Sequence, residues 1–189
     1  MTAVPSALTH PLTVTEFSEL GEEEHGRWEL QEGALVMSPS PTWPHNVAAG
    51  ELFWQLRLQL PRRYRAILDV DVDLGLSGPD RPGTVRRPDL VIVDKNELVE
   101  GQMLRAAQLL VVVEIVSPGS VRLDNEFKRV EYAAAGIPRY WILDIERPVT
   151  LLDCRLTEEG SYESGNWAES TFRTEEPFPI KLELDSLRD

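Results

Sequence analysis

The sequence predicts an α/β (α+β) fold: a mixed central sheet with flanking helices and a β-hairpin near the N-terminus. Three observations predict it. The run Leu109-Leu-Val-Val-Val-Glu-Ile-Val116 is the most apolar in the chain and reads as a central strand covered on both faces. Helical patterning over residues 45–60 and 124–135 brackets it. Shorter strand-like runs over residues 67–76, 88–93 and 139–144 stand between and after those helices. One acid interrupts the apolar run. A strand alternates sides, so Leu110, Val112, Glu114 and Val116 share one face, and Leu109, Val111, Val113 and Ile115 the other. A carboxylate on a buried face is costly unless compensated. The compensator is an arginine, a set of hydrogen-bond donors or a metal ion.

A chain of 189 residues suffices for one domain with a full core, residues 1–189, of which 1–11 show no period and are expected to be loose. Its 42% hydrophobic and 27% charged content excludes a disordered chain. Cys154 is the one cysteine, which excludes an intramolecular disulfide and suits a reducing compartment. No signal sequence opens the chain, and no apolar run approaches the roughly 20 residues of a membrane span. A cytoplasmic location without membrane contact is expected. The net charge of −13 excludes a general nucleic-acid coat protein, whose affinity comes from phosphate neutralisation by Lys and Arg. The charge is uneven: from residue 151 onward ten acids face four basic residues. The middle holds Arg62, Arg63, Arg65, Arg81, Arg86 and Arg87, so a local basic groove stays open.

In chain order, Thr13-Val-Thr-Glu16 has capping-box spacing and Phe17 and Leu20 follow, which predicts a short helix. Arg27 to Gln31, Glu32-Gly33 and Ala34 to Ser38 read as a hairpin with glycine in its turn. The prolines of Ser38-Pro-Ser-Pro-Thr-Trp-Pro44 exclude regular structure there. A helix starts near Pro44 or His45 and runs to Leu60, where Pro61 stops it. Its stripe of Val47, Glu51, Trp54 and Leu58 is read as core-facing, with His45, Ala48, Ala49 and Leu52 on a neighbouring stripe. Ile67 to Leu76 alternates, with Val70, Val72, Leu74 and Leu76 on one side and Asp69, Asp71 and Asp73 on the other. Those aspartates do not form a calcium loop, because Leu74 stands where the loop needs glycine.

Asp89 opens the strand Arg87-Pro-Asp-Leu-Val-Ile-Val93. Ser117-Pro-Gly-Ser120 lacks the Gly-Lys-Ser/Thr ending of a phosphate loop. In the second long helix Phe127, Val130 and Ala134 are read as the edge that holds it to the sheet, and Gly136 and Pro138 end it. Strands follow at 139–144, 149–156 and 180–184.

The order helix, strand, Asp strand, Glu strand, helix, strand resembles the αβββαβ core of the PD-(D/E)XK nuclease-like superfamily. Pro88-Asp89 matches the PD, and Glu114-Ile115-Val116 matches the (D/E)-X-K except at its last place. More closely, the chain is similar to the Uma-type family of restriction-endonuclease-like proteins. The matching pieces are Trp28-Glu-Leu with Glu32-Gly33, Met37-Ser-Pro, His45 and Arg87-Pro-Asp-Leu-Val. They continue at Val113-Glu-Ile-Val-Ser-Pro118, Asp124 with Lys128, and Tyr132-Ala-Ala-Ala-Gly-Ile-Pro-Arg-Tyr-Trp141. The resemblance spans nearly the whole chain.

The resemblance implies a metal-dependent endonuclease that hydrolyses phosphodiester bonds of DNA. It implies Mg²⁺ or Mn²⁺ held by Asp89, Glu114 and the backbone carbonyl of Ile115. Val116 cannot replace the motif lysine, and the resemblance implies that Lys128 on the following helix does. Glu29 or Glu51 is expected to add a carboxylate, and His45 to donate to phosphate or brace a carboxylate. A homodimer is also implied, because cutting both strands takes two sites; Trp43, Trp54 and Trp167 are compatible with one. The alternatives are a catalytically inactive nuclease-fold module that binds nucleic acid or protein, and a different phosphodiester such as RNA. Each residue also has a plainer reading. Asp89 caps a strand, Glu114 pairs with an arginine such as Arg87, Lys128 pairs with Asp124 on the surface, Glu29 and Glu51 are solvated acids, and His45 merely starts a helix.

Overall fold

A computed structural model of the chain describes residues 10–20, 28–38, 40–116 and 122–188, with the side chains of 122–125 left undescribed. The expectations for residues 1–9, for Arg27 and Pro39, for Ser117-Pro-Gly-Ser120 and for the side chain of Asp124 lie outside the described residues. The fold is mixed α+β, as the sequence predicts.

The short helix α1 (Val14–Glu19) starts at the predicted capping box: Thr13 accepts from the Glu16 N–H, and the Glu16 carboxylate accepts from the Thr13 N–H. Strands β1 (Trp28–Gln31) and β2 (Ala34–Met37) form the hairpin. Glu32 and Gly33 both have positive φ, 48° and 82°, the backbone that a tight two-residue turn needs. Glycine is required at 33, since an added Cβ would meet the Pro11 Cβ at 2.6 Å.

Helix α2 (Trp43–Gln59) follows, then β3 (Tyr64–Leu68), β4 (Val72–Asp73), β5 (Val85–Arg86), β6 (Leu90–Asp94), β7 (Leu104–Arg105) and β8 (Leu109–Val116). Helix α3 (Arg122–Ala134) leads to β9 (Arg139–Asp144), β10 (Thr150–Leu156), β11 (Tyr162–Ser164), β12 (Ala168–Glu169), β13 (Thr171–Thr174) and β14 (Ile180–Glu183). The main sheet runs β11-β10-β9-β8-β6-β3, with β8 parallel to β9 and antiparallel to β6. Strand β8 is therefore interior, as its apolar run demands. A second sheet, β2-β1-β5-β4-β7, gathers the N-terminal hairpin beside it.

Two cores lie on opposite faces of the main sheet. One joins Ala48, Leu52 and Leu56 of α2 to Leu90, Ile92, Val111, Val113, Ile115 and Trp141, and to the β13–β14 hairpin. The other joins Val91, Val112, Tyr140 and Ile142 to Tyr132 of α3 and to Val72 and Leu104 of the second sheet.

Four readings of the sequence need correction. First, Leu109 and Leu110 exchange faces, because the pairing steps from Ile92–Val111 to Val93–Leu109 and leaves Leu110 as a bulge. Second, the strand read over residues 67–76 is broken: Asp69 takes a left-handed φ of 50°, so β3 ends at Leu68 and β4 enters the second sheet. Third, the buried face of α2 carries Ala48, Leu52 and Leu56, while Val47, Trp54 and Leu58 are exposed. That helix is apolar on both sides, so identity alone does not choose the face. Fourth, Phe127 and Val130 are 60% and 69% exposed and do not hold α3 to the sheet. The inward residues are Lys128, Glu131 and Tyr132, because the sheet beneath α3 offers them acids and an arginine.

Candidate active site

The site forms where the C-terminal end of β8 meets the start of β6, under α3. Glu114 is buried, at 7% exposure, on the face of β8 turned toward α3. Its Oε1 accepts from Tyr132 Oη at 2.6 Å and from Lys128 Nζ at 3.0 Å. Both donors come from α3, four residues apart, the spacing that stacks side chains on one helix face. Among the described residues no hydrogen bond reaches Oε2. The compensator of the buried acid is thus a lysine and a tyrosine. Arg87, the arginine considered for the role, instead holds Asp71 through two hydrogen bonds of 2.7 and 2.9 Å.

Asp89 stands just before β6, on the strand neighbouring β8. Its Oδ2 accepts from the Ile115 N–H at 2.7 Å, and its Oδ1 lies 3.1 Å from His45 Nε2. Of the two roles open to His45, the geometry is that of a carboxylate brace: α2 presents it in its first turn, with Pro44 beside it. Ile115 touches the site through its N–H.

Glu29 of β1 joins from the second sheet. Its Oε1 accepts from the Arg87 N–H at 3.0 Å and lies 3.5 Å from Lys128 Nζ, while its Oε2 accepts from Arg86 at 2.9 Å. Arg86, itself 4% exposed, grips Glu131 of α3 with two hydrogen bonds of 2.7 Å. A chain of alternating charge therefore runs Glu131, Arg86, Glu29, Lys128, Glu114. It ties α3 to both sheets. Glu51 takes no part: it is half-buried on α2, and no hydrogen bond or ion pair links it to these residues.

Arg86, Glu131 and Tyr132 are the site residues that sequence reading does not single out. Arg86 precedes the Arg87-Pro-Asp motif, and Tyr132 opens the Tyr-Trp motif, so the matched pieces contain or border both. Glu131 is signalled by its position three residues after Lys128, on the same helix face.

The electrostatics follow from burial. Loss of solvent, reinforced by the Asp89 and Glu29 carboxylates, pushes Glu114 up to about 7 against the opposing pull of Lys128 and Tyr132. Burial works against the Lys128 ammonium, but Glu114 and Glu29 override it and hold its pKa above the usual lysine range. Lys128 thus remains a cation at neutral pH. Burial also pushes Glu29 upward, yet Lys128, the Arg87 N–H and Arg86 together bring it below the ordinary value.

Among the described residues no group of three or more His, Cys, Asp or Glu side chains gathers to hold a metal ion. The donors at hand are two carboxylates on adjacent strands. They suit a hard divalent cation in kind, since such ions take oxygen ligands and keep several waters. Among the described residues Glu114 Oε2 meets no hydrogen-bond partner, and the repulsion from Asp89 that raises the Glu114 pKa is what a cation relieves.

The fold is that of a nuclease-fold protein. The family model "Uma2: Putative restriction endonuclease" matches residues 14–186, and the chain belongs to that family. A solved structure described as a putative nuclease of DUF820 from Anabaena variabilis ATCC 29413 superposes with a TM-score of 0.68 at 20% identity, covering 94% of this chain and 97% of that one. Comparison with curated proteins finds no match. No helix among the described residues is long and apolar enough to cross a membrane.

Proposed function

We propose that the chain is a metal-dependent endonuclease that hydrolyses phosphodiester bonds of DNA. The observation that carries the reading is the convergence of Lys128 on Glu114 at 3.0 Å, beside an Asp89 that is hydrogen-bonded to the very next residue of β8. Asp89 and Glu114 are the residues to hold Mg²⁺ or Mn²⁺, with the Ile115 carbonyl as a further ligand. When bound, the ion supplies Lewis-acid polarisation of the scissile phosphate and lowers the pKa of an attacking water.

The chain's own residues do the rest. Lys128 cannot serve as a general base while it stays protonated, so its part is electrostatic: it faces the charge that develops on phosphate, or fixes the water. Tyr132 holds Glu114 through its Oε1. His45 fixes Asp89. Glu29 keeps Lys128 charged and in place. The assay is plasmid cleavage by purified protein with Mg²⁺ or Mn²⁺, beside Glu114→Ala. Cleavage lost in the variant supports the reading, and equal cleavage by both proteins identifies a contaminant.

The net charge of −13 favours a second reading, a module that keeps the fold and binds nucleic acid or protein without turnover. Titration calorimetry separates the two: heat of Mn²⁺ binding that Glu114→Ala abolishes supports the enzyme, and no binding at millimolar Mn²⁺ leaves the module.

A further inference from the structure

Helix α2 is apolar on two opposite faces. Ala48, Leu52 and Leu56 are fully buried against the main sheet. Trp43, Val47, Trp54 and Leu58 are exposed by 75%, 38%, 54% and 67%. With 3.6 residues per turn the exposed set lies about 150° from the buried one. A contiguous exposed apolar stripe of this size marks an interaction surface. The charged residue that shares this stripe, Glu51, is an acid, which gives phosphates nothing to bind.

Gly50 sits in the middle of this stripe. A Cβ built there meets nothing within 4 Å, so packing inside the chain does not require glycine. A mid-helix glycine costs about 1 kcal/mol relative to alanine. What it permits is close approach by another backbone. The spacing identifies that backbone. Trp43 and Leu58 are equally distant from the midpoint between Gly50 and Glu51, and so are Val47 and Trp54. A surface that meets itself about a two-fold axis, helix antiparallel to helix, needs this mirrored spacing.

We propose that α2 is the interface for a second copy of this chain, packed antiparallel about a two-fold axis beside Gly50. Trp43 of each copy then covers Leu58 of the other, and Val47 covers Trp54. The four side chains expose on the order of 500 Å² per copy, so a symmetric pair buries roughly 1,000 Å² from them alone, near the ~1,200 Å² at which stable interfaces begin. The inference does not rest on the nuclease reading and is tested without activity.

Light scattering over a concentration series is expected to give about twice the 21.4 kDa chain mass. Trp54→Glu and Leu58→Glu are expected to give monomers with unchanged circular dichroism and a thermal midpoint that no longer depends on protein concentration. Gly50→Cys places two thiols beside the axis, within the ~6.8 Å Cα separation that a disulfide spans. Mild oxidation should convert it to a covalent dimer, since native Cys154 is buried. Leu58→Cys, far from its own mate in this register, should not cross-link. A wild-type monomer throughout the series overturns the proposal. So does a dimer that survives both glutamate substitutions, or a Leu58→Cys cross-link as efficient as that of Gly50→Cys.

Discussion

Lys128 Nζ lies 3.0 Å from Glu114 Oε1 across 14 residues of sequence, and the same ammonium lies 3.5 Å from Glu29 Oε1 on the other sheet. One cation thus serves two buried acids from different layers. Such a group is costly to remove, because each partner then remains in the interior without compensation.

Lys128→Met keeps the aliphatic stem and removes the charge. Nicking of plasmid is expected to fall by ~100-fold or more, the scale for loss of one group aimed at developing charge. Stability should drop by about 3 kcal/mol in urea titration. Full nicking activity in this variant would leave Lys128 a structural ion only.

Glu29→Gln tests the same network through pH. The folded pKa of Glu29 lies below its ordinary 4.5, so its ionised form stabilises the protein above that value. At pH 7 the variant should be less stable by about 2 kcal/mol. The gap should hold down to the ordinary carboxyl value and close as acid protonates the wild-type residue through its lowered pKa. Urea midpoints for both proteins across this range read the effect, and a gap that widened in acid would contradict the assignment.

Arg86→Lys keeps the charge but loses the planar fork that holds Glu131 and Glu29 together. A loss of about 3 kcal/mol is expected despite the conservative exchange. Chemical denaturation beside Arg65→Lys, an exposed position, supplies the control.

Phe127→Ser and Val130→Ser should each change stability by no more than about 0.5 kcal/mol, because both side chains are exposed. Tyr132→Ala, one helix face away, should cost about 4 kcal/mol by opening the core beneath Glu114. Thermal midpoints of the three variants decide which face of α3 is bound.

The sequence by itself determined the order of the two long helices and of the central strands between them, the interior place of β8, the capping box and the Glu32-Gly33 turn. Those features are written in local patterns: period, caps, prolines and an unbroken apolar run. The tertiary structure alone decided which faces are buried. The sequence pattern suggests Phe127 and Val130 as the inward face of α3, and Val47, Trp54 and Leu58 as that of α2. In the fold α3 turns Lys128, Glu131 and Tyr132 inward, because Glu114 and Arg86 wait on the sheets. Apolar residues mark the inner face of a helix only when the opposing surface is apolar too. At a buried polar site that rule reverses, and only the partner surface, assembled from strands far away in the chain, shows that it has.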